Sequence, residues 1–216
     1  MRLIITGAAG AGKGTIAKKI KEYYNIAHIS SGDMFRSEIS SGSALGNLAN
    51  DYIKAGKLVP DDVTIEMVLK RISAADCQNG YLLDGFPRTL AQAEALESEL
   101  FKRNESTEMV INLTVTFDTL IKRIVGRRIC SNCGEIYNLY YKAPSVEGVC
   151  DICQSTLTQR SDDTEEKLAI RWQEFNESTL AVLSYYGDKG LLLDINADKG
   201  SNEVWQEVVK QLGDLK

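Results

Sequence analysis

The sequence predicts an α/β fold, a parallel sheet covered on both faces by helices, on three observations. Short apolar runs alternate with segments of helical spacing along most of the chain, the pattern that builds such a layered sheet. The runs are continuous stretches of Leu, Ile and Val rather than every-other-residue patterns, as strands buried on both faces require. The chain has 216 residues, 44% of them hydrophobic and 25% charged, enough for one sizeable core carrying a smaller insertion.

In chain order, "RLIIT" (2–6) reads as the first strand. It runs into a glycine-rich loop, "GAAGAGKGT" (7–15), with a helix beginning near Lys13. "AHIS" (27–30) is the second strand. Residues 31–60 then hold two helix-like pieces with no strand between them, ending at Pro60. "GYLLD" (80–84) is the next strand, followed by the clearest helix, 88–103, on which Leu90, Ala93, Leu96, Leu100 and Phe101 form one stripe at steps of three and four. "MVINL" (109–113) and "GLLLDI" (190–195) complete the strands. Residues 128–162, rich in Cys, Gly, Tyr and polar side chains, break the alternation a second time. Both breaks read as insertions mounted on the strand and helix frame.

The net charge of −5 argues against a general attraction to nucleic acid, whose binders show a basic face. Met1 and Arg2 lead straight into a three-residue apolar run, too short for a secretory leader's apolar region, and no run of about 18 apolar residues occurs. A cytoplasmic location is therefore expected, with no membrane partner. Four of the five cysteines fall in two C-x-x-C pairs, which in that compartment suggests a metal or redox site rather than a disulfide framework. The fifth, Cys77, reads as a small buried hydrophobe. The single histidine, His28, on a strand beside Ile29, reads as a packing residue rather than a ligand or base.

Four motifs carry chemistry. The loop places glycines 7, 10, 12 and 14 and a helix N-terminus around one spot, where backbone amides and the helix dipole favour phosphate and Lys13 supplies a full charge. The usual pattern has Ser or Thr immediately after the lysine; here Gly14 follows and the hydroxyl arrives at Thr15. In "LLDGFPR" (82–88), Asp84 ends a buried strand, where open α/β sheets bind ligands. There it can reach a magnesium shell, while Arg88 can fork onto phosphate oxygens. Arg36, Arg88, Arg123, Arg127, Arg160 and Arg171 form a third group, in which the four-residue spacing of Arg123 and Arg127 predicts a shared helix face. Phosphoryl transfer needs several cations around one transferring group, and this set would supply them despite the acidic total.

The fourth motif is "CSNC" (130–133) with "CDIC" (150–153), sixteen residues apart. Four thiolates at this spacing suit a closed, structural Zn²⁺ site, with iron and a redox dithiol as competing readings. A nucleic-acid-binding ribbon should be basic. Residues 126–163 instead hold four basic against five acidic side chains.

Taken together, "GAAGAGKGT", "SSGDMFR" (30–36), "GKLVPD" (56–61), "DGFPRTLAQA" (84–93), "GRRICSNC" (126–133) and "QRSDD" (159–163) closely resemble adenylate kinase, in the long bacterial form with a zinc-bearing lid. The resemblance covers essentially the whole chain in order. It implies the P-loop nucleoside monophosphate kinase fold: a five-stranded parallel sheet core (1–29, 60–125 and 164–216), an AMP-binding insertion (30–59) and a zinc-bearing lid (126–163). It implies reversible, Mg²⁺-dependent phosphoryl transfer from ATP to AMP, giving two ADP by direct in-line attack.

Carried over by position, the resemblance assigns Gly10, Ala11, Gly12, Lys13, Gly14, Thr15, Arg123, Arg127, Ile136, Tyr137 and Lys199 to ATP. It assigns Ser31, Arg36, Lys57, Leu58, Val59, Gly85, Phe86, Pro87, Arg88, Gln92, Arg160 and Arg171 to AMP. Lys13, Asp84, Arg88, Arg127, Arg160 and Arg171 would act on the transferring phosphate, Asp84 with Asp33 organising the magnesium shell. Cys130, Cys133, Cys150 and Cys153 would hold zinc. Ala9 stands where the family commonly has Pro, and Ser31 where it usually has Thr. The alternatives are a kinase for UMP, CMP or GMP, and a zinc-ribbon module binding nucleotide or nucleic acid without turnover. Nothing in the sequence requires more than a monomer.

Overall fold

The computed structural model describes residues 1–213. In chain order its elements are β1 (Arg2–Thr6), α1 (Lys13–Tyr24), β2 (Ala27–Ser30), α2 (Ser31–Ser41), α3 (Ala44–Ala55), α4 (Asp61–Ile72), β3 (Tyr81–Asp84), α5 (Leu90–Lys102), β4 (Met109–Thr114), α6 (Phe117–Val125), β5 (Arg127–Cys130), β6 (Ile136–Asn138), β7 (Leu157–Thr158), α7 (Glu165–Glu174), α8 (Leu180–Asp188), β8 (Leu192–Asn196) and α9 (Ser201–Leu212). The main sheet has the order β2-β3-β1-β4-β8 and is parallel throughout. A smaller antiparallel sheet, β6-β5-β7, lies within the cysteine-rich stretch.

Strand side chains alternate between two buried faces, which explains the continuous apolar runs. Leu3 and Ile5 of β1 pack with Ile16 and Ile20 of α1, Leu120 and Ile124 of α6 and Val204 and Val208 of α9. Ile4 faces the opposite side, with Val68 of α4, Leu96 and Leu100 of α5 and Val182 and Tyr186 of α8. Cys77 is buried in that second cluster, as its reading expected. Among the described residues, no helix is long and apolar enough to cross a membrane.

Three details differ from the sequence expectations. The stripe on α5 is narrower: Ala93, Leu96 and Leu100 are buried, whereas Leu90 and Phe101 are exposed because they fall on the helix flanks. The last strand starts at Leu192, not Gly190, since Gly190 and Leu191 still donate to carbonyls of Gly187 and Tyr186 and so terminate α8. Arg123 and Arg127 share no helix face. Helix α6 stops at Val125 and Arg127 opens β5. Gly126 makes the break: a Cβ there would lie 2.7 Å from the Tyr140 ring and 2.8 Å from the Lys122 carbonyl, so only glycine lets the returning chain pass. Finally, residues 214–216 of the expected core segment lie outside the described residues.

All five main strands point their C-terminal ends at one edge. That edge of an open α/β sheet is where loops converge on ligands, and it gathers the loop after β1, Ser31 after β2, Gly85 after β3 and Ala197 after β8. Helices α2 and α3 follow β2 with no strand between them. Between α7 and α8 the chain makes a π-helical turn, Phe175–Thr179, whose ends face the same edge.

Candidate active site

The loop after β1 ends at Gly12, whose left-handed backbone opens α1, and no side chain caps that helix. Its first amides and the positive end of its dipole are left to a ligand. The Lys13 ammonium folds back over the loop and donates to the carbonyls of Gly7 (2.6 Å) and Ala8 (2.9 Å). Withdrawal from water pulls its pKa down to about 8; Asp84 opposes this, while Arg88, Arg171 and Arg127 add to it.

Asp84 ends β3 nearly buried. Its Oδ2 lies 3.2 Å from Nε2 of His28. That contact adds an acidic neighbour to the packing role read for His28: β2 and β3 run side by side, with His28 opposite Leu82 and Ser30 opposite Asp84. At Gly85 (φ +78°) the chain turns so tightly that a Cβ would lie 2.8 Å from Arg88 Nη2 and 3.0 Å from Ser31 Oγ. Both side chains bond to its carbonyl, Ser31 Oγ and Arg88 Nε each donating at 2.8 Å. Glycine is thus what allows Ser31 and Arg88 to converge.

Arg88 and Arg160 have no carboxylate partner among the described residues. Burial and then Arg171 hold the Arg88 guanidinium down to about 10, and burial and then Arg127 do the same for Arg160. Three further arginines have acidic partners: Arg127 with Asp163, Arg171 with Asp162 at 2.8 Å, and Arg36 with Asp33. Burial alone would raise the Asp33 carboxyl, but Arg36 and the Ser30 hydroxyl bring it below its ordinary range. Burial also lowers the Arg171 pKa, against the pull of Asp162. Cations crowded in this way, with Lys13, Arg88 and Arg160 lacking a carboxylate partner among the described residues, form a site that an anion would stabilise.

Two adjoining cavities flank this cluster. One, of about 520 Å³, is lined by Ala9, Lys13, Gly85, Arg88, Arg171 and Glu174 among others. The second, of about 640 Å³, is lined by Ser31, Arg36, Lys57, Leu58, Val59 and Gln92. Gly56, Leu58, Gly85, Arg88 and Arg171 line both. Phe86 and Pro87 are buried beneath, joined by a cis peptide. Glu174 and Thr179, on either side of the π-helical turn, were not singled out in the sequence, where nothing marks such a turn.

Arg123 lines neither cavity. Its guanidinium donates to the carbonyls of Ala11 (3.2 Å), Ala197 (2.7 Å) and Lys199 (3.4 Å), tying the loop to the segment after β8. Ile136 is exposed, whereas the Tyr137 ring is buried. Tyr137 turns its hydroxyl to Cys150 and accepts a bond from the Asp151 amide.

The sequence model of the adenylate kinase family matches residues 5–191. The chain belongs to that family. The adenylate kinase of Geobacillus sp. (strain WCH70) is 49% identical over 215 residues, covering 100% of each chain. Those of Moorella thermoacetica and Clostridioides difficile (strain 630) are 47% and 46% identical over 213 residues, with at least 98% of each chain covered.

In this adenylate kinase family member the cysteine-rich stretch forms a metal-competent centre. The sulfurs of Cys130, Cys133, Cys150 and Cys153 lie within 4.8 Å of one another, with Cys130 and Cys153 at 3.3 Å and Cys133 and Cys150 at 3.6 Å. Four thiolates on a tetrahedral zinc stand about 3.8 Å apart, as Zn–S bonds of about 2.3 Å require. The donor set therefore fits, and the separations are too long for disulfides. Hydrogen bonds from the Ser155 hydroxyl and amide, then from Cys130, bring Cys153 down to about 5. The cluster's own apolar core is only Cys130, Tyr137, Cys150 and Leu157, with Cys153 against it.

Proposed function

We propose that this protein catalyses reversible transfer of the γ-phosphoryl group of ATP to AMP, giving two ADP. The observation that carries the reading is a set of crowded cations beside two adjoining cavities at the sheet's C-terminal edge: Arg88 and Arg171 line both, Lys13 lines the first, and Arg160 lies near Arg127 and Arg36. One cavity opens on the phosphate loop and takes ATP; the other, lined by Ser31, Arg36 and Gln92, takes AMP. Arg88 and Arg171 line both, as groups acting on the phosphoryl in flight must. The adenylate kinase name borne by the relatives supports AMP over UMP, CMP or GMP.

The residues that line both cavities, Gly56, Leu58, Gly85, Arg88 and Arg171, include no nucleophile, and none is needed. An oxygen of the AMP phosphate attacks the γ-phosphorus in line. The loop amides from Gly10 to Thr15 and Lys13 hold the ATP phosphates, while Arg88, Arg127, Arg160 and Arg171 offset the charge that spreads over the transferring group. Phosphate oxygens would displace Asp162 and Asp163 from their arginines. Mg²⁺, carried in with ATP, would neutralise phosphate charge. Asp84, nearly buried at the end of β3 with Asp33 further out, fits the task of orienting its water shell. Residues 30–59 and 126–163 would close over AMP and ATP respectively, which excludes water as a competing acceptor. Zinc on the four cysteines would staple the lid. We place the protein in the cytoplasm, as a monomer that binds nucleotides and no nucleic acid.

A dinucleotide carrying two adenosines joined through five phosphates tests the two-cavity reading. Binding at least about 100-fold tighter than ATP is expected, because one molecule would engage both cavities and the cations beside them. Affinity equal to that of ATP would refute the reading.

A further inference from the structure

Gln92 lines the second cavity yet is only 2% exposed, and its carboxamide is held from two sides. Its Oε1 accepts from the Arg88 backbone amide at 2.8 Å, and its Nε2 donates to Asp61 Oδ1 at 2.7 Å. The other Asp61 oxygen accepts from the Thr89 hydroxyl at 2.7 Å, and that hydroxyl caps α5 by accepting from the Gln92 amide. Asp61 itself does not line the cavity.

We propose that Asp61 is a positioning residue for monophosphate selection: it locks the Gln92 carboxamide in one of its two orientations and so sets which purine edge the cavity accepts. A backbone N–H only donates and a carboxylate only accepts. A half-turn of the carboxamide would set N–H against the Arg88 N–H and oxygen against the Asp61 carboxylate, leaving four part-buried groups unsatisfied. The locked orientation leaves one Oε1 lone pair and one Nε2 hydrogen for a ligand. A 6-aminopurine offers the complementary pair, an N–H donor at C6 and a lone pair at N1. A 6-oxopurine offers the reverse, an oxygen at C6 and an N1–H, which suits only the turned carboxamide. The inference rests on the reading that this cavity takes the base of AMP.

Steady-state rates with AMP and with IMP, at saturating Mg·ATP, test it in the wild type, Asp61→Ala, Asp61→Ser, Asp61→Asn and Gln92→Ala, with circular dichroism confirming the fold. The serine variant keeps a polar start to α4 should alanine prevent folding. Both are expected to raise KM for AMP about tenfold and to lower the AMP-to-IMP ratio of kcat/KM by about tenfold, with KM for ATP within about twofold of wild type. Asn, whose side-chain oxygen still accepts from Gln92, is expected to stay within about threefold of wild type. If Gln92→Ala weakens AMP while the folded Ala or Ser variant keeps wild-type AMP kinetics and discrimination, the role of Asp61 is refuted. An equal loss toward AMP, IMP and ATP would make Asp61 merely structural and also refute it. Wild-type AMP kinetics in Gln92→Ala would instead refute the reading of the cavity.

Discussion

Lys13 Nζ lies 2.6 Å from the carbonyl oxygen of Gly7, the first residue of its own loop. In this position the ammonium bonds to backbone oxygens and forms no ion pair among the described residues, and burial brings its pKa from 10.5 down to about 8. A polyphosphate bound to the loop would restore the charged form. At pH 8 the free protein has half-protonated Lys13, so ATP binding should take up about half a proton, rising towards one near pH 9 and vanishing near pH 6.5. Calorimetry in buffers of different ionisation enthalpy measures the uptake, and Lys13→Met should abolish it. The same shift makes the nucleotide-free fold gain stability between pH 8 and about 10.5, where the unfolded chain binds the extra proton. Uptake at pH 8 that persists in Lys13→Met would contradict the assignment.

Arg88 donates to the Gly85 carbonyl and forms no ion pair with a carboxylate among the described residues. Arg88→Ala should lower kcat by at least about 100-fold, as loss of one preorganised cation typically does. The melting temperature should stay within a few degrees of wild type, since the change removes a crowded, unpaired charge. Near-normal turnover in a folded Arg88→Ala protein would remove it from the transferring group.

Gly14 is where the loop departs from the usual lysine-hydroxyl order. A Cβ added there would meet nothing within 4 Å, so packing within the protein does not call for glycine. Gly14→Ala should therefore leave stability unchanged or raise it by about 0.5–1 kcal/mol, as alanine does in helices. If the bare backbone serves the approach of phosphate, KM for ATP should rise several-fold while KM for AMP holds. A stabilised variant with unchanged ATP kinetics would show that glycine serves neither purpose.

The four-cysteine cluster encloses too few apolar side chains to hold its own shape. Elemental analysis should find one zinc per chain, and chelation should lower the melting temperature by at least about 5 °C. Cys153→Ser should weaken metal retention in the same assay. A metal-free protein that melts with the zinc form would leave the cluster without a structural role.

Features carried by neighbouring residues were legible in the sequence. The strand, glycines and lysine of the first loop lie within fifteen positions, and the cysteine spacing is itself a ligand pattern. Arg127 was misplaced because crowding by Tyr140 and Asn138, over a dozen residues onward, ends α6 at Gly126. The pairing of His28 with Asp84 follows from strand register across 56 residues, and that of Asp61 with Gln92 spans 31. Single-chain periodicity carries no record of either. The exposure of Phe101 was missed for a related reason: a helical stripe defines a face, and only the packed neighbours decide how wide it is.

The central claim is phosphoryl transfer to AMP between two adjoining nucleotide cavities. Incubating the purified protein with Mg·ATP and each of AMP, UMP, CMP and GMP in turn, while following diphosphate formation, tests it most directly. Two ADP should form for each ATP consumed with AMP, at a rate far above those of the other three. No ADP from AMP, or faster turnover with UMP, CMP or GMP, would contradict it.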